Sequence, residues 1–262
     1  MTGATGLARF EQEGPVAILS INNPPLNLLS QPVKMAVLEF VGQISRDRTI
    51  RAVILAGAGE KGFSAGADLH EWQDRIRNRT AADDSRRGQQ LAQHIRAIPQ
   101  PVIAAINGYC FGGGLELALA CDFRVAGRSC RLGTPEVNRG AFPGTAGSQL
   151  LPRLIGPSKA KQMMMFGEHI SAPEAYGLGL IDYLVDDGEV LAHAHVLART
   201  LSTKPAMAVA SIKRLVNEGL ETSLERGFAL ETALFERIYE TADVQEGLLA
   251  FFEKREPNFH HQ

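Results

Sequence analysis

The most informative stretch of this chain is residues 107–122, which read Asn-Gly-Tyr-Cys-Phe-Gly-Gly-Gly-Leu-Glu-Leu-Ala-Leu-Ala-Cys-Asp. It follows an apolar run, residues 102–106, that is typical of a strand buried on both faces. The glycines allow a sharp turn and let a ligand approach the backbone closely. The apolar residues after them predict a buried helix over 113–120, whose first N–H groups would stabilise an anion.

Glu116 lies in the first turn of this predicted helix, among leucine and alanine residues. A lone glutamate there is most often a capping residue that interacts with the helix dipole. A helix that is apolar all round favours a different interpretation, because a buried carboxylate costs several kcal/mol unless it is paired or protonated. Glu116 is therefore a candidate acid/base residue.

A second glutamate, Glu136, follows Pro135 at a point where a helix could begin. By itself it would most often be a surface residue of a first turn. A functional role is favoured by its neighbours in residues 139–144, which are rich in glycine and proline and include an aromatic side chain. Glu116 and Glu136 together predict an acid/base pair that faces a site where backbone amides bind an anion.

Short apolar runs alternate with helical patterns through most of the chain, which predicts an α/β fold with largely parallel strands. The predicted strands are residues 16–21, 52–56, 102–106, 123–126 and 180–185. Residues 69–98 are polar and helical in period. Their clustered arginines could meet a phosphorylated ligand, but we expect them to form a solvated helix face (Arg75, Arg77, Arg79, Arg86 and Arg87). From about residue 190 the pattern is all helical, so we divide the chain into a core domain, residues 1–200, and a helical subdomain, residues 201–262.

The composition excludes several classes of protein. Of the 262 residues, 45% are hydrophobic and 21% charged, and the net charge of −2 argues against nucleic acid as a partner. Three cysteines without C-x-x-C spacing, and seven histidines without an H-E-x-x-H motif, argue against a disulfide framework or a metal site. Without a secretory signal or an apolar run near the ~20 residues that span a bilayer, we expect a cytoplasmic protein that does not enter membranes.

Three segments together resemble the crotonase family, also called the enoyl-CoA hydratase/isomerase superfamily. They are residues 63–69 (Phe-Ser-Ala-Gly-Ala-Asp-Leu), residues 107–118, and Pro135-Glu136 with Pro143-Gly144. The likeness extends to residues 154–156 and 172–180 and to the end of the chain. It implies an α/β fold of repeated β-β-α units wound into a spiral, with a C-terminal helical region that mediates trimers, often paired into hexamers.

The resemblance also implies a ligand, an acyl thioester of coenzyme A, which is the substrate and not a separate cofactor. Matched residue by residue, the backbone N–H groups of Ala67 and Gly113 would form the oxyanion hole that receives the thioester oxygen. The implied residues for binding coenzyme A and the acyl group are Ala65, Asp68, Leu69, His70, Gly112 and Phe142.

Family members that add water to a 2-enoyl thioester carry glutamate at both motif positions, as this chain does. Double-bond isomerases typically keep the second glutamate and lack the first. The implied roles are that Glu116 positions and activates water while Glu136 delivers the α-proton, with the two carboxylates coupled. A 3,2-isomerase, another acyl-CoA lyase or hydratase, and a binding protein without turnover remain as alternatives. Departures from the family pattern at His70, Asn138-Arg139 and residues 145–151 leave the acyl group open.

Overall fold

The computed structural model describes residues 2–4 and 6–260 of the chain. Within these residues the chain forms eleven β-strands and eleven α-helices. The strands are β1 (Thr2–Ala4), β2 (Ala8–Glu13), β3 (Val16–Ile21), β4 (Ala52–Gly57), β5 (Gly62–Ser64), β6 (Val102–Ile106), β7 (Tyr109–Phe111), β8 (Phe123–Gly127), β9 (Arg131–Gly133), β10 (His169–Ser171) and β11 (Tyr183–Val185). The helices are α1 (Gln31–Arg46), α2 (His70–Asn78), α3 (Ala81–Ala97), α4 (Gly113–Leu119), α5 (Gly147–Ile155), α6 (Pro157–Phe166), α7 (Ala172–Gly177), α8 (Val190–Ser202), α9 (Ala206–Gly219), α10 (Leu224–Tyr239) and α11 (Ala242–Glu253). Short 3-10 helices span Pro135–Arg139 and Asp187–Glu189.

The larger sheet has seven strands in the order β1-β2-β3-β4-β6-β8-β11. The first three are antiparallel neighbours, and every neighbouring pair from β3 to β11 is parallel. All of β6 and the first four residues of β4 are buried, as their continuous apolar sequence requires of strands covered on both faces. The prediction of an α/β fold with parallel strands is therefore confirmed.

The smaller sheet has four strands in the order β10-β9-β7-β5. Each of β4, β6 and β8 is followed by a three-residue strand of this sheet (β5, β7 and β9) and then by helical structure. This recurring β-β-α order is the spiral that the resemblance implies. The sequence did not reveal β5, β7 and β9, because three residues are too few to show the alternation that identifies a strand.

Two predicted elements differ in extent from those observed. The strand predicted over 180–185 begins only at Tyr183, where pairing with β8 starts, because the Leu180 N–H donates to the Ala175 carbonyl of α7 instead of to a strand. The helical stretch predicted over 69–98 is two helices, α2 and α3. The break between them falls at Arg79, whose φ of 55° is incompatible with a continuous helix.

The two faces of the larger sheet bury two separate apolar clusters. Val53 and Leu55 of β4 belong to a cluster that also contains side chains of α1, α4 and the smaller sheet. The intervening Ala52 and Ile54 belong to a cluster closed by α8. Successive side chains of a strand point to opposite faces, so the small sheet lies on one side of the large sheet and α8 on the other.

The C-terminal helices α9 to α11 follow α8, which ends just beyond the predicted domain boundary at residue 200. Lys213 of α9 ties them to the core, since its Nζ lies 2.9 Å from Asp122 Oδ2 and donates to the carbonyls of Ile95 and Gln100. Large apolar side chains on these helices are exposed in the single chain, among them Ile212, Val216, Phe228, Phe235, Leu248 and Phe252.

Candidate active site

A cavity of about 1320 Å³ lies between the smaller sheet, helices α1 to α4 and the 3-10 helix Pro135–Arg139. Both predicted acid/base residues, Glu116 and Glu136, line it. So do both predicted oxyanion residues, Ala67 and Gly113. The spiral thus brings together three segments that are distant in sequence, at residues 67, 113–116 and 136.

Glu116 lies in the first turn of α4 and is only 4% exposed. Its Oε1 accepts hydrogen bonds from the backbone N–H groups of Thr145 (2.9 Å), Ala146 (3.0 Å) and Gly147 (2.8 Å). Its Oε2 accepts one from the Thr145 hydroxyl. Gly147 begins α5, so the carboxylate is bound by the N-terminus of that helix, where N–H groups have no acceptor within the helix.

Two glycines fix the position of α4 and of its carboxylate. A Cβ at Gly114 would lie 2.6 Å from the Ser64 carbonyl oxygen, and one at Gly147 would lie 3.0 Å from Glu116 Oε1. Neither position has room for a side chain. The helix therefore packs directly on the end of β5, and the loop before α5 packs directly on Glu116.

Ala67 and Gly113 come from different turns of the spiral and meet at one point. A Cβ at Gly113 would lie 3.8 Å from the backbone nitrogen of Ala67 and 3.9 Å from Glu116 Oε2. Gly66 has a φ of 97°, a conformation that favours glycine, and a Cβ there would lie 2.8 Å from the Phe111 carbonyl oxygen. The approach is therefore possible because Gly66 has no side chain. Two backbone segments and one carboxylate oxygen thus converge on the same part of the cavity wall.

Glu136 lies in the 3-10 helix and has surroundings unlike those of Glu116. Its Oε2 is buried and has no hydrogen-bond partner among the described residues. Burial is the main cause that raises the pKa of Glu136 to about 7. The backbone N–H of Glu136 lowers this pKa, the charge of Glu116 raises it further, and Arg139 lowers it. A carboxyl group with such a pKa carries a proton in a large fraction of molecules near neutral pH.

The two carboxyl groups lie beside consecutive glycines. A Cβ at Gly112 would lie 2.8 Å from Glu136 Oε1, and Gly113 faces Glu116 Oε2. Since successive Cα atoms are about 3.8 Å apart, both side chains reach the same short segment of backbone. This arrangement allows one ligand bound at the glycines to contact both carboxyl groups.

The residues predicted to bind coenzyme A and the acyl group fall into two sets. Four of them line the cavity, namely Ala65, Leu69, Gly112 and Phe142. Asp68 and His70 are not part of its lining. The His70 side chain is exposed, and its ring Nδ1 lies 2.9 Å from Asp68 Oδ1, a contact that lowers the pKa of Asp68 together with the backbone N–H of His70. A role for Asp68 and His70 in binding coenzyme A stays a prediction.

His169 lines the cavity, and the sequence analysis did not find it. Its ring stacks on Phe111 with centroids 4.0 Å apart. Burial, with Arg139 and Arg131 nearby, lowers the pKa of His169 and so favours the neutral ring. A lone histidine on a three-residue strand belongs to no motif, so no signal in the sequence could have identified it.

Four charged side chains beside the cavity form a cluster, here named the ionic network, that consists of Lys34, Glu71, Arg75 and Asp84. Asp84 Oδ1 lies 2.8 Å from Lys34 Nζ, and Asp84 Oδ2 lies 2.8 Å from a terminal nitrogen of Arg75. Arg75 also pairs with Glu71. Lys34, Arg75 and Asp84 line the cavity.

The ionic network corrects the prediction that the arginines of this stretch form a solvated face. The Arg75 side chain is only 13% exposed and belongs to the cavity wall. Arg77 and Arg86, in contrast, are exposed and pair with nearby aspartates, as expected. The helical period of residues 69–98 was correct, but the period alone does not show which side of a polar helix meets a cavity.

Neither a metal-binding cluster nor a membrane-spanning helix is found among the residues that the structure describes. Residues 2–4 and 6–260 contain no group of three or more His, Cys, Asp or Glu side chains that could hold a metal ion. None of the described helices is both long enough and apolar enough to cross a membrane. Cys110, Cys121 and Cys130 are buried and unpaired.

Known proteins share both the sequence and the fold. Residues 11–262 match the family described as Enoyl-CoA hydratase/isomerase. The chain is 38% identical over 251 residues to the crotonyl-CoA hydratase of Syntrophomonas wolfei, which covers 95% of this chain and 96% of the relative. It is 41% identical over 245 residues to a probable enoyl-CoA hydratase of Bacillus subtilis, covering 93% and 95%. It matches the crystal structure of an enoyl-CoA hydratase from Bacillus anthracis with a TM-score of 0.92 and 35% identity, covering 98% and 100%.

Proposed function

The chain belongs to the enoyl-CoA hydratase/isomerase family, and we propose that it catalyses the reversible syn addition of water across the 2,3 double bond of a 2-enoyl-CoA thioester. It is an enzyme of the hydro-lyase type. The observation that carries the proposal is that Glu116 and Glu136 line one cavity together with Ala67 and Gly113. Relatives named crotonyl-CoA hydratase and probable enoyl-CoA hydratase support it.

The backbone N–H groups of Ala67 and Gly113 form the oxyanion hole in this proposal. When water attacks the β-carbon, negative charge grows on the thioester oxygen as an enolate forms. Two oriented amides stabilise that charge, and loss of one such donor typically costs about 3 kcal/mol of transition-state stabilisation. The first-turn position of Gly113 supports the assignment, because its N–H has no acceptor within α4.

Glu116 holds the attacking water and takes its proton. Its two oxygens are unequally used, since Oε1 accepts three backbone hydrogen bonds and Oε2 accepts one, from Thr145. Oε2 therefore keeps room to accept a bond from water. It is also the oxygen that faces Gly113, and so the oxyanion hole.

Glu136 delivers a proton to the α-carbon. Its pKa of about 7 keeps the group partly protonated at neutral pH, and its buried Oε2 has no protein partner among the described residues to compete for that proton. The charge of Glu116 raises the pKa of Glu136, so an ionised Glu116 favours the proton on Glu136. After one turnover Glu116 holds the proton from water, and exchange with solvent restores both groups.

Coenzyme A enters as part of the substrate, and the proposed chemistry needs no separate cofactor, since water, two carboxyl groups and two amides supply every proton and charge. The three unpaired, buried cysteines fit the reducing cytoplasm that we propose as the compartment.

The exposed apolar side chains of α9 to α11 support a homotrimer or a dimer of trimers, in which they would be covered. Sedimentation that shows a stable monomer would rule that assembly out.

The test of function is product mass. Crotonyl-CoA incubated with the enzyme should lose its conjugated absorbance and gain the mass of one water molecule. The double variant Glu116→Gln/Glu136→Gln, prepared identically, is the control for a contaminating hydratase. A product of unchanged mass from a 3-enoyl-CoA, without hydration of the 2-enoyl-CoA, would assign an isomerase instead. No turnover across short, long and aromatic 2-enoyl-CoA thioesters would reject the proposal.

A further inference from the structure

The ionic network gives this cavity a charged wall where an acyl chain would be expected to meet apolar side chains. We propose that the enzyme prefers 2-enoyl chains that carry an oxygen hydrogen-bond acceptor at the end away from the thioester, and that Lys34 binds this oxygen. The inference rests on the proposed function, because it concerns the acyl group of the same substrate.

Helix α3 connects the ionic network to the anchor of Glu116. A Cβ at Gly88 of α3 would lie 2.3 Å from Thr145 Cγ2, and Thr145 holds the Glu116 carboxylate. Asp84 precedes Gly88 by one helical turn, a rise of about 6 Å. With the β-carbon at Glu116, the rest of the acyl chain continues past Thr145 along α3 and reaches Lys34 about one helical turn farther on.

Lys34 has hydrogen-bond donors to spare. The residue is 6% exposed, and among the described residues its Nζ has one acceptor, Asp84 Oδ1 at 2.8 Å. An ammonium group carries three N–H donors, and a buried donor without an acceptor costs free energy. Because Lys34 lines the cavity, an oxygen atom of the substrate can bond to the remaining donors.

The acceptors of the ionic network, unlike its donors, are already in use. Asp84 Oδ1 accepts from Lys34 and from the Gln31 side chain, and Asp84 Oδ2 accepts from Arg75. Glu71 accepts from Arg75 and from the backbone N–H of Gln31. The network therefore recognises a group that accepts hydrogen bonds, which is the shared chemistry of hydroxyl, ketone and carboxylate oxygens.

Apolar side chains within three residues of the ionic network in sequence also line the cavity, namely Trp72, Ile76 and Ala81. They suit the methylene part of a chain whose last atoms are polar. A chain that ends in a methyl group would cover the Lys34 ammonium and leave its donors without an acceptor. Sites built to bond a substrate oxygen discriminate strongly against analogues that lack it, for this reason.

The test compares 2-enoyl-CoA thioesters of equal chain length that end in a methyl group, a hydroxyl, a ketone or a carboxylate. Crotonyl-CoA, too short to reach Lys34, reports the proposed function separately. We expect kcat/KM for at least one oxygen-ended chain to exceed that of its methyl-ended match by about tenfold or more. Comparing kcat/KM for the hydroxyl- and ketone-ended chains with that for the carboxylate-ended chain shows whether the preferred oxygen is neutral or anionic.

Lys34→Met should remove the preference while crotonyl-CoA is still hydrated. The matched control is Lys213→Met, which removes another buried lysine that pairs with an aspartate, Asp122, but that does not line this cavity. That variant should keep the preference of the unmodified enzyme.

Two results would overturn the inference. One is an unmodified enzyme that hydrates crotonyl-CoA yet uses methyl-ended chains as well as oxygen-ended ones, a comparison that needs no variant to fold. The other is an unchanged preference in a folded Lys34→Met enzyme, which would make the ionic network a purely structural link between α1, α2 and α3. An enzyme that hydrates no thioester of the panel, crotonyl-CoA included, would instead reject the proposed function, and this inference with it.

Discussion

Glu116 and Glu136 line the same cavity, but the regions that hold them are opposite in character. Glu116 is bound by three backbone N–H groups and a hydroxyl at the start of α5. Glu136 lies on a short 3-10 helix, has a buried oxygen without a partner among the described residues, and has a pKa of about 7. In the proposed reaction one side chain acts as a fixed acceptor and the other as a proton donor, because three backbone N–H groups bind Glu116, whereas burial raises the pKa of Glu136.

Replacing either carboxyl group by an amide should have the largest effect. We expect Glu116→Gln and Glu136→Gln each to lower kcat by about 10²- to 10⁴-fold, since each removes one proton transfer. The double variant should lose little more than the worse single variant, because the two groups act as a unit. Steady-state kinetics measure the loss, and calorimetry with a coenzyme A ligand should show that binding persists.

The control for these variants is Glu60→Gln, which changes an exposed glutamate outside the cavity and should leave kcat unchanged. Losses that multiply independently in the double variant would contradict the paired roles of Glu116 and Glu136. Full activity in either single variant would contradict the assignment of that residue.

The difference in surroundings should also appear in stability. The folded-state pKa of Glu136 is raised from 4.5 to about 7, so the folded protein binds the proton more tightly than the unfolded chain does. The free energy of unfolding contributed by this group is therefore full below about pH 4.5 and falls as pH rises to about 7, by up to about 3 kcal/mol. Glu136→Gln should remove this loss, so that its stability relative to the unmodified protein is greater at pH 8 than at pH 5. Denaturant unfolding at both pH values measures it, and an equal difference at both would contradict the raised pKa.

The pH dependence of kcat/KM should be the same in the two reaction directions, because hydration takes up and releases no net proton. Hydration needs protonated Glu136, so its rate should fall as pH rises through about 7, approaching tenfold per pH unit. Dehydration begins with ionised Glu136 and protonated Glu116, a state that holds the same number of protons as the one that hydrates, so its kcat/KM should also fall as pH rises through the same region. Initial rates of hydration and of dehydration, measured as a function of pH, test this. If neither profile has a midpoint near pH 7, another group delivers the α-proton.

The sequence was sufficient to predict the central part of the fold. The strands β3, β4 and β6 were found because a strand buried on both faces needs an apolar run, and β8 was found from the apolar residues on either side of Arg124. The strands of the smaller sheet are three residues long, and their position depends on pairing with partners distant in sequence. No local pattern carries that information.

The candidate site divides in the same way between side chains and backbone. Glu116 and Glu136 could be found because a carboxylate among apolar residues and glycines is unusual. The donors that hold Glu116 are backbone N–H groups of residues 145–147, and every residue type except proline has one. In the sequence, only the glycines near these residues indicate that the backbone packs closely on Glu116. Arg75 was misassigned because its burial depends on α1 and α3 lying against α2.

Thr145 contacts Glu116 and not Glu136, so its substitution should change only one of the two regions. Of the substitutions considered, it should lower kcat the least. Thr145→Val keeps the shape that packs on Gly88 and removes the hydroxyl that donates to Glu116 Oε2, while the three backbone donors to Oε1 remain. Loss of one hydrogen bond to a charged group corresponds to about 1.5 kcal/mol, so kcat should fall about tenfold. The pH midpoint assigned to Glu136 should stay where it is, because its main cause is the burial of Glu136 itself. If kcat fell as far as in Glu116→Gln, the backbone donors would not be enough to orient the carboxylate, and the contrast between the two regions would rest on one hydroxyl group.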